Sequence, residues 1–230
     1  MDTQLQQELR AWLSNEKSRE AALLSTGYQG SAYLYDHGGR RLVIKKASSG
    51  FFTGWIHRRM LQREARVYEL LAEVEGVPHS PGMLDDTWLV LEYIEGRTLK
   101  VQRSFIREPE VFYNRLHKVI KDFHTAGVAH GDLKRKENVL VAEGEQPFVI
   151  DFGMAAMRDG GLIDRLLFRF VRRVDYNAWV KLKYHRNYSA VSDEDQQWYR
   201  PTIIERTLRV IRRAWRKVTF RQARKRRRQS

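Results

Sequence analysis

Between Ile94 and Arg97 the chain changes character, and no other feature constrains its fold as tightly. Before that point the pattern is rich in strands. "SAYLY" and "RLVIK", residues 31–35 and 41–45, are short apolar runs separated by Gly38 and Gly39, residues suited to a two-residue hairpin turn. "MLDDTWLVLEYIEG" supplies a second hairpin, turning at Asp85 and Asp86. From Pro109 onward helical spacing dominates, interrupted only by "NVLVAEGEQPFVI", two short apolar strands around a turn. Strands segregated from helices in this way predict an α+β chain of two lobes. Two helices accompany the strand-rich part. One runs over residues 5–24, with Leu5, Leu9, Trp12 and Leu13 at helical spacing, and the other over residues 57–76, ending at Gly76.

At 230 residues, 42% hydrophobic and with six Trp, the chain has material for a real core. It has no cysteine, which excludes disulfides, thiolate nucleophiles and Cys-based zinc sites. The first residues lack an apolar signal-peptide core, and no apolar run reaches about 18 residues, so a soluble, cytosol-facing protein is expected. Net charge is +14, which predicts an anionic partner. From Arg206 to Ser230 there are twelve Lys or Arg and no acid. Ile204, just before this span, and Leu208, Ile211, Trp215 and Val218 within it recur at spacings of four and three, so residues 206–230 read as a basic amphipathic helix with a polybasic tail. Such a segment fits an anionic membrane surface. Nucleic acid, held by counterion release, is the rival partner.

The chemistry lies in "HGDLKRKENVLV" and "VIDFG". Asp132 is an acid placed to orient a hydroxyl and take its proton. Asn138 and, thirteen residues later, Asp151 are hard oxygen donors of the kind Mg²⁺ prefers. Lys134 can neutralise charge on a moving phosphoryl group. Together they are the parts of a phosphoryl-transfer site.

Taken in order, these residues resemble the protein-kinase-like fold. "HGDLKRKEN" is similar to its catalytic loop and "DFG" to its magnesium-binding motif, so the resemblance implies ATP and Mg²⁺ as substrate and cofactor. "LVIK" is similar to the strand of the phosphate-anchoring lysine, and Glu64 in "REARVYELL" to that lysine's ion-pair partner. Side chains alternate along a strand, so if Val43 covers adenine then Lys45, and not Lys46, reaches the phosphates. "LVLEYIEG" resembles the hinge, with Leu91 as gatekeeper and Glu92 to Ile94 holding adenine through the backbone; Leu140 forms the adenine floor. Gly27, Gly30 and Ser31 are the residues available for a phosphate loop, in place of the usual three-glycine hairpin.

The departures from protein kinases also inform. Gly131 replaces an arginine, no A-P-E motif follows "DFG", and only 79 residues remain after Asp151. "HGDL" and the truncated second lobe resemble the compact Rio-type kinases and the bacterial lipopolysaccharide core sugar kinases. The span from Asp132 to Asn138 is six residues against the usual five, so the loop either bulges around Arg135 or alters the metal geometry, and either Lys134 or Lys136 meets the phosphate. The resemblance implies a helical extension over 1–24, a small β-rich lobe over 25–96, a mainly helical lobe over 97–205 and the basic segment 206–230. It implies transfer of the ATP γ-phosphate to a lipopolysaccharide core sugar, a lipid-linked acceptor reached at the inner face of the cytoplasmic membrane. The alternative is a Rio-type serine/threonine kinase with a protein acceptor.

Overall fold

A computed structural model describes residues 1–27, 30–48, 54–185 and 187–200. The basic amphipathic segment, and most of the "SSGFFTGW" stretch, lie outside the described residues.

The N-terminal lobe is built on a five-stranded antiparallel sheet in the order β1-β2-β3-β5-β4. Its strands are β1 (Leu23–Gly27), β2 (Gly30–His37), β3 (Arg40–Ala47), β4 (Gly82–Leu84) and β5 (Trp88–Glu92). Gly38 and Gly39 both have positive φ, 60° and 76°, and close the β2–β3 turn in which His37 pairs with Arg40. Asp85 and Asp86, at φ 50° and 51°, turn β4 into β5.

Each face of this sheet has a cover. On one side lies α1 (Thr3–Ser14), which is followed in the chain by α2 (Glu16–Ala21). Leu5, Leu9 and Leu13 of α1 cluster with Tyr35, Ile44, Leu84 and Val90 of the sheet. Arg10 pairs with Asp85 at 2.7 Å, tying the helix to the β4–β5 turn. On the other side is α3 (Gly54–Leu70), whose buried Leu61, Ala65 and Tyr68 join the main core.

Two of the helices expected from sequence differ. The stretch 5–24 is broken at Asn15, which is extended (φ −85°, ψ 101°) and accepts the Ser18 N–H on its side chain, capping α2; Leu23 and Leu24 then join β1. Helix α3 ends at Leu70, six residues before Gly76. Gly76 serves a close approach: at φ 84°, an added Cβ would lie 2.5 Å from Val119 and 2.9 Å from the Pro147 carbonyl.

The second lobe holds α4 (Leu99–Gln102), α5 (Pro109–Thr125), α6 (Leu162–Lys183) and α7 (Asp193–Gln196). Proline begins α5, where its missing N–H is unneeded. That helix buries Phe112, Leu116, Ile120 and Phe123, and α6 packs on it through the fully buried Trp179, whose Nε1–H donates to the Tyr113 carbonyl at 2.8 Å. Ala178, Val180 and Leu182, in the last turns of α6, are buried with it. Two small sheets complete the lobe: β6 (Gly96–Thr98), β8 (Val139–Ala142) and β9 (Pro147–Val149), and the pair β7 (Val128–Ala129) and β10 (Ala156–Met157). These short strands carry the catalytic-loop and "DFG" stretches between them.

Candidate active site

Lys45 lies on β3 beside Leu89, on the face opposite Ile44, which is fully buried under α1. Its Nζ donates to Glu64 Oε1 at 2.7 Å and to Asp151 Oδ1 at 3.2 Å. Burial pulls the Lys45 ammonium pKa down, but Glu64, Tyr68 and Asp151 more than reverse this and hold it above the ordinary lysine value. Burial acts to raise the Asp151 pKa, and Lys45 overrides it to leave the carboxylate below its usual value. The neighbouring Lys46 lies on the other face, its ammonium 4.8 Å from the Trp88 ring.

Asp151 has φ +67°, a strained value for a non-glycine residue, and its backbone N–H donates to the Tyr68 hydroxyl at 3.3 Å. Phe152 is buried and meets Tyr68, Phe123 and His130 edge-on or tilted at 4.7 to 5.8 Å between ring centres. This packing carries the Asp151 side chain to Lys45.

The catalytic-loop stretch is held from inside. The His130 ring accepts the Asp132 backbone N–H at Nδ1, so its proton sits on Nε2, which faces the Ile150 carbonyl at 3.0 Å. Asp175, fully buried on α6, accepts the backbone N–H groups of His130 at 2.7 Å and Gly131 at 2.8 Å, and lies 3.1 Å from His124 Nε2. Burial holds the His124 pKa below the ordinary histidine value, against the Asp175 carboxylate. At Gly131 φ is +82°, and an added Cβ would lie 2.9 Å from the Met154 carbonyl, so no arginine fits there without rearrangement.

The six-residue span resolves into two successive turns. Arg135 N–H donates to the Asp132 carbonyl and Asn138 N–H to the Arg135 carbonyl, with Arg135 itself extended between them. The extra residue is thereby absorbed at Arg135, whose side chain is exposed. Lys134 Nζ lies 3.5 Å from Asp132 Oδ1. Lys136 begins the turn leading to Asn138. The buried Asn138 donates through Nδ2 to the Asp132 carbonyl at 3.2 Å, which leaves its amide oxygen as the side-chain acceptor.

The remaining expected residues line up less completely. Val43 is partly buried and pairs in register with the buried Leu91. Leu140 is half-buried on the face of β8 opposite the buried Val139 and Val141. Glu92 ends β5 and its carboxylate accepts the His79 N–H at 3.1 Å; Ile94 is half-buried in the connection to β6. Gly27 pairs with Gly30 across the β1–β2 hairpin. Gly30 has a reason of its own for being glycine: an added Cβ would stand 1.9 Å from the Lys46 carbonyl. The Ser31 hydroxyl sits 3.2 Å from that of Thr26. Sequence reasoning missed Asp175 and Tyr68. The one signal for Asp175 was an acid inside the inward face of "VDYNAWV".

Among the described residues no group of three or more His, Asp or Glu is placed to hold a metal ion. A two-oxygen set, the Asn138 amide and the Asp151 carboxylate, fits Mg²⁺, which takes few protein ligands and fills its octahedron with water and phosphate oxygens.

A family model for the RIO domain matches residues 53–177, more than half of the chain. The chain belongs to the RIO family. A solved structure of RIO type, the Rio2 kinase–ADP/Mg²⁺–phosphoaspartate complex from Chaetomium thermophilum, superposes with a TM-score of 0.59 at 15% identity, covering 82% of this chain and 64% of that one. The two-lobed kinase-like fold is therefore shared. Among curated proteins, a probable bifunctional tRNA threonylcarbamoyladenosine biosynthesis protein of Methanosarcina barkeri is 31% identical over 124 residues, 53% of this chain and 20% of the relative. The maternal embryonic leucine zipper kinase of Xenopus laevis is 36% identical over 80 residues, 33% of this chain and 12% of the relative. The RIO chain thus spans a fifth or less of the length of these two relatives.

Proposed function

We propose that this RIO-family chain is an ATP- and Mg²⁺-dependent phosphotransferase acting on an acceptor hydroxyl, in the manner of a Rio-type serine/threonine kinase. The observation that carries the reading is Lys45, whose ammonium bridges Glu64 on α3 and Asp151 at 2.7 and 3.2 Å. A lysine held charged between two carboxylates is positioned to receive α- and β-phosphate oxygens. Asn138 and Asp151 would hold magnesium, which when bound supplies positive charge to the phosphates. Val43, Leu140 and the backbone from Glu92 to Ile94 would receive the adenine, and the hairpin of Gly27, Gly30 and Ser31 would cover the phosphates.

In the transfer itself the Asp132 carboxylate accepts the acceptor hydroxyl's proton. The acceptor oxygen bonds to the γ-phosphorus, and the bond to the β–γ bridging oxygen breaks to release ADP. Lys134, 3.5 Å from Asp132, adds positive charge beside the transferred group.

A protein acceptor draws support from the RIO family match and from kinases among the relatives. The lipopolysaccharide core sugar expected from sequence finds no such support. The test is incubation of the full chain with γ-labelled ATP and Mg²⁺, separately with a protein extract and with purified lipopolysaccharide. Label on Ser or Thr, lost in Asp151→Ala, is expected. Label confined to lipopolysaccharide would overturn the protein acceptor, and absence of label with a folded chain would overturn the kinase reading.

A further inference from the structure

The first half of α6 presents an apolar stripe to solvent. Leu162, Ile163, Leu166, Leu167 and Phe170 are 78%, 80%, 63%, 47% and 47% exposed. At 3.6 residues per turn they occupy an arc of roughly 140°. The same helix buries Phe168 and Asp175 on its opposite side. Arg165, Arg169 and Arg172 are exposed and fill one flank between these two faces, and the exposed Arg173 continues the line of the stripe toward the helix C-terminus. Asp164, the acid of this half, lies on the side away from the stripe, and its carboxylate accepts the Gly161 N–H at the helix start.

A second feature adjoins the arginine flank. Arg169, Arg172, Arg173 and Arg200 line a cavity of about 380 Å³ together with Tyr176 and Trp198. One cation is partly engaged there, because Arg173 Nε donates to the Arg200 carbonyl. No carboxylate contributes to the cavity wall among the described residues.

We propose that this face of α6 docks on an anionic lipid bilayer, with the helix lying in the interface plane, the stripe inserted among the acyl chains and the arginines meeting headgroup phosphates. Charge decides among the occupants. A second copy of a chain of net charge +14 would bring two arginine flanks together. The chain's own segment 206–230 carries twelve Lys or Arg and no acid, so it repels the same flank. A nucleic acid would satisfy the arginines and leave five large apolar side chains wet. An anionic bilayer complements both features, since interfacial helices combine an apolar face with basic flanks. The contact is peripheral, because no helix among the described residues is long and apolar enough to cross a membrane.

The chain's lack of cysteine gives a direct test, independent of any kinase activity. Leu166→Cys in the full chain, labelled with a polarity-sensitive fluorophore, is expected to shift to the blue on phosphatidylglycerol-containing vesicles and to stay unshifted on pure phosphatidylcholine. The same label at Glu73→Cys, on the first lobe's surface, should not respond. Leu166→Gln with Phe170→Gln, which leaves net charge unchanged, should lower partition to the anionic vesicles by about tenfold or more without changing the melting temperature. Equal binding by that variant would assign the membrane contact to another surface and overturn the proposal. So would equal shifts on neutral vesicles, or a blue shift without vesicles accompanied by a doubled mass, which would make the face an interface between copies.

Discussion

Asp175 illustrates how a single carboxylate organises this site without touching a reactant. Its two oxygens receive the backbone N–H groups of His130 and Gly131 and face His124 Nε2, all within 3.1 Å, in a fully buried position. Asp175→Asn keeps the shape but turns an NH₂ group toward donors, so at least one buried N–H loses its acceptor. About 1–3 kcal/mol of stability should go with it. Asp132 should then be held less firmly, so kcat for phosphate transfer is expected to fall roughly a hundredfold while KM for ATP moves little, a split that steady-state kinetics reads. Equal losses in both constants would indicate global damage instead. His117 offers a second residue-scale outcome. It stacks on Trp179 at 4.3 Å, and its Nε2 is buried without a hydrogen-bond partner among the described residues. Burial, helped by Lys121, pushes its pKa down to about 4. The folded state therefore favours the neutral ring, a contribution fully present above about pH 6.5 and lost as the pH falls toward 4. His117→Phe keeps the stacking and removes the titration. It should retain about 1 kcal/mol more stability at pH 5 relative to pH 7 than the parent chain, allowing for the solvent that reaches the ring. Thermal melts at the two pH values check this.

At the scale of elements, α1 shows what a sequence reveals and what it withholds. Its apolar spacing was legible because i, i+4 periodicity is local, and so was the choice of Lys45 over Lys46, because strand alternation is local too. The surface that α1 covers was not legible, since nothing in residues 3–14 encodes which face of a distant sheet needs a lid. Asp175 escaped for a related reason: its partners are backbone N–H groups 44 and 45 residues away, and backbone donors carry no residue signature. Gly76 was misread as a helix stop because a glycine needed for close packing against Val119 looks the same in sequence as one needed for a cap. The lid has an energetic consequence. Leu9 is fully buried against a cluster that includes Ile44 and Val90, so Leu9→Ala should cost about 2–5 kcal/mol, measurable by urea denaturation. Trp12→Ala, at a half-buried position on the edge of the same cluster, should cost less, and the reverse order would mean that α1 is not the sheet's lid.

At the scale of the molecule, the two lobes meet through few polar contacts, and most involve the segment that begins at Asp151. Lys45 of β3 binds Asp151, Tyr68 of α3 accepts its backbone N–H, and Arg66 of α3 pairs with Asp159 at 2.7 Å. A nucleotide bound between the lobes would add contacts to both at once, and a ligand that binds only the folded state stabilises it by mass action, about 2.7 kcal/mol at a hundred times its Kd. For a chain of this size that is a rise in melting temperature of roughly 5–10 °C. The rise should require both ATP and Mg²⁺, because Asp151 and the ATP phosphates repel each other unless a cation lies between them, and Lys45 alone must serve both. Asp151→Asn removes that repulsion along with the proposed metal ligand. ATP without Mg²⁺ should therefore stabilise the variant more than it stabilises the parent, while added Mg²⁺ should stabilise the variant less. A parent chain whose melting temperature responds equally to ATP with and without Mg²⁺ would remove Asp151 from the metal site and leave it as a structural partner of Lys45.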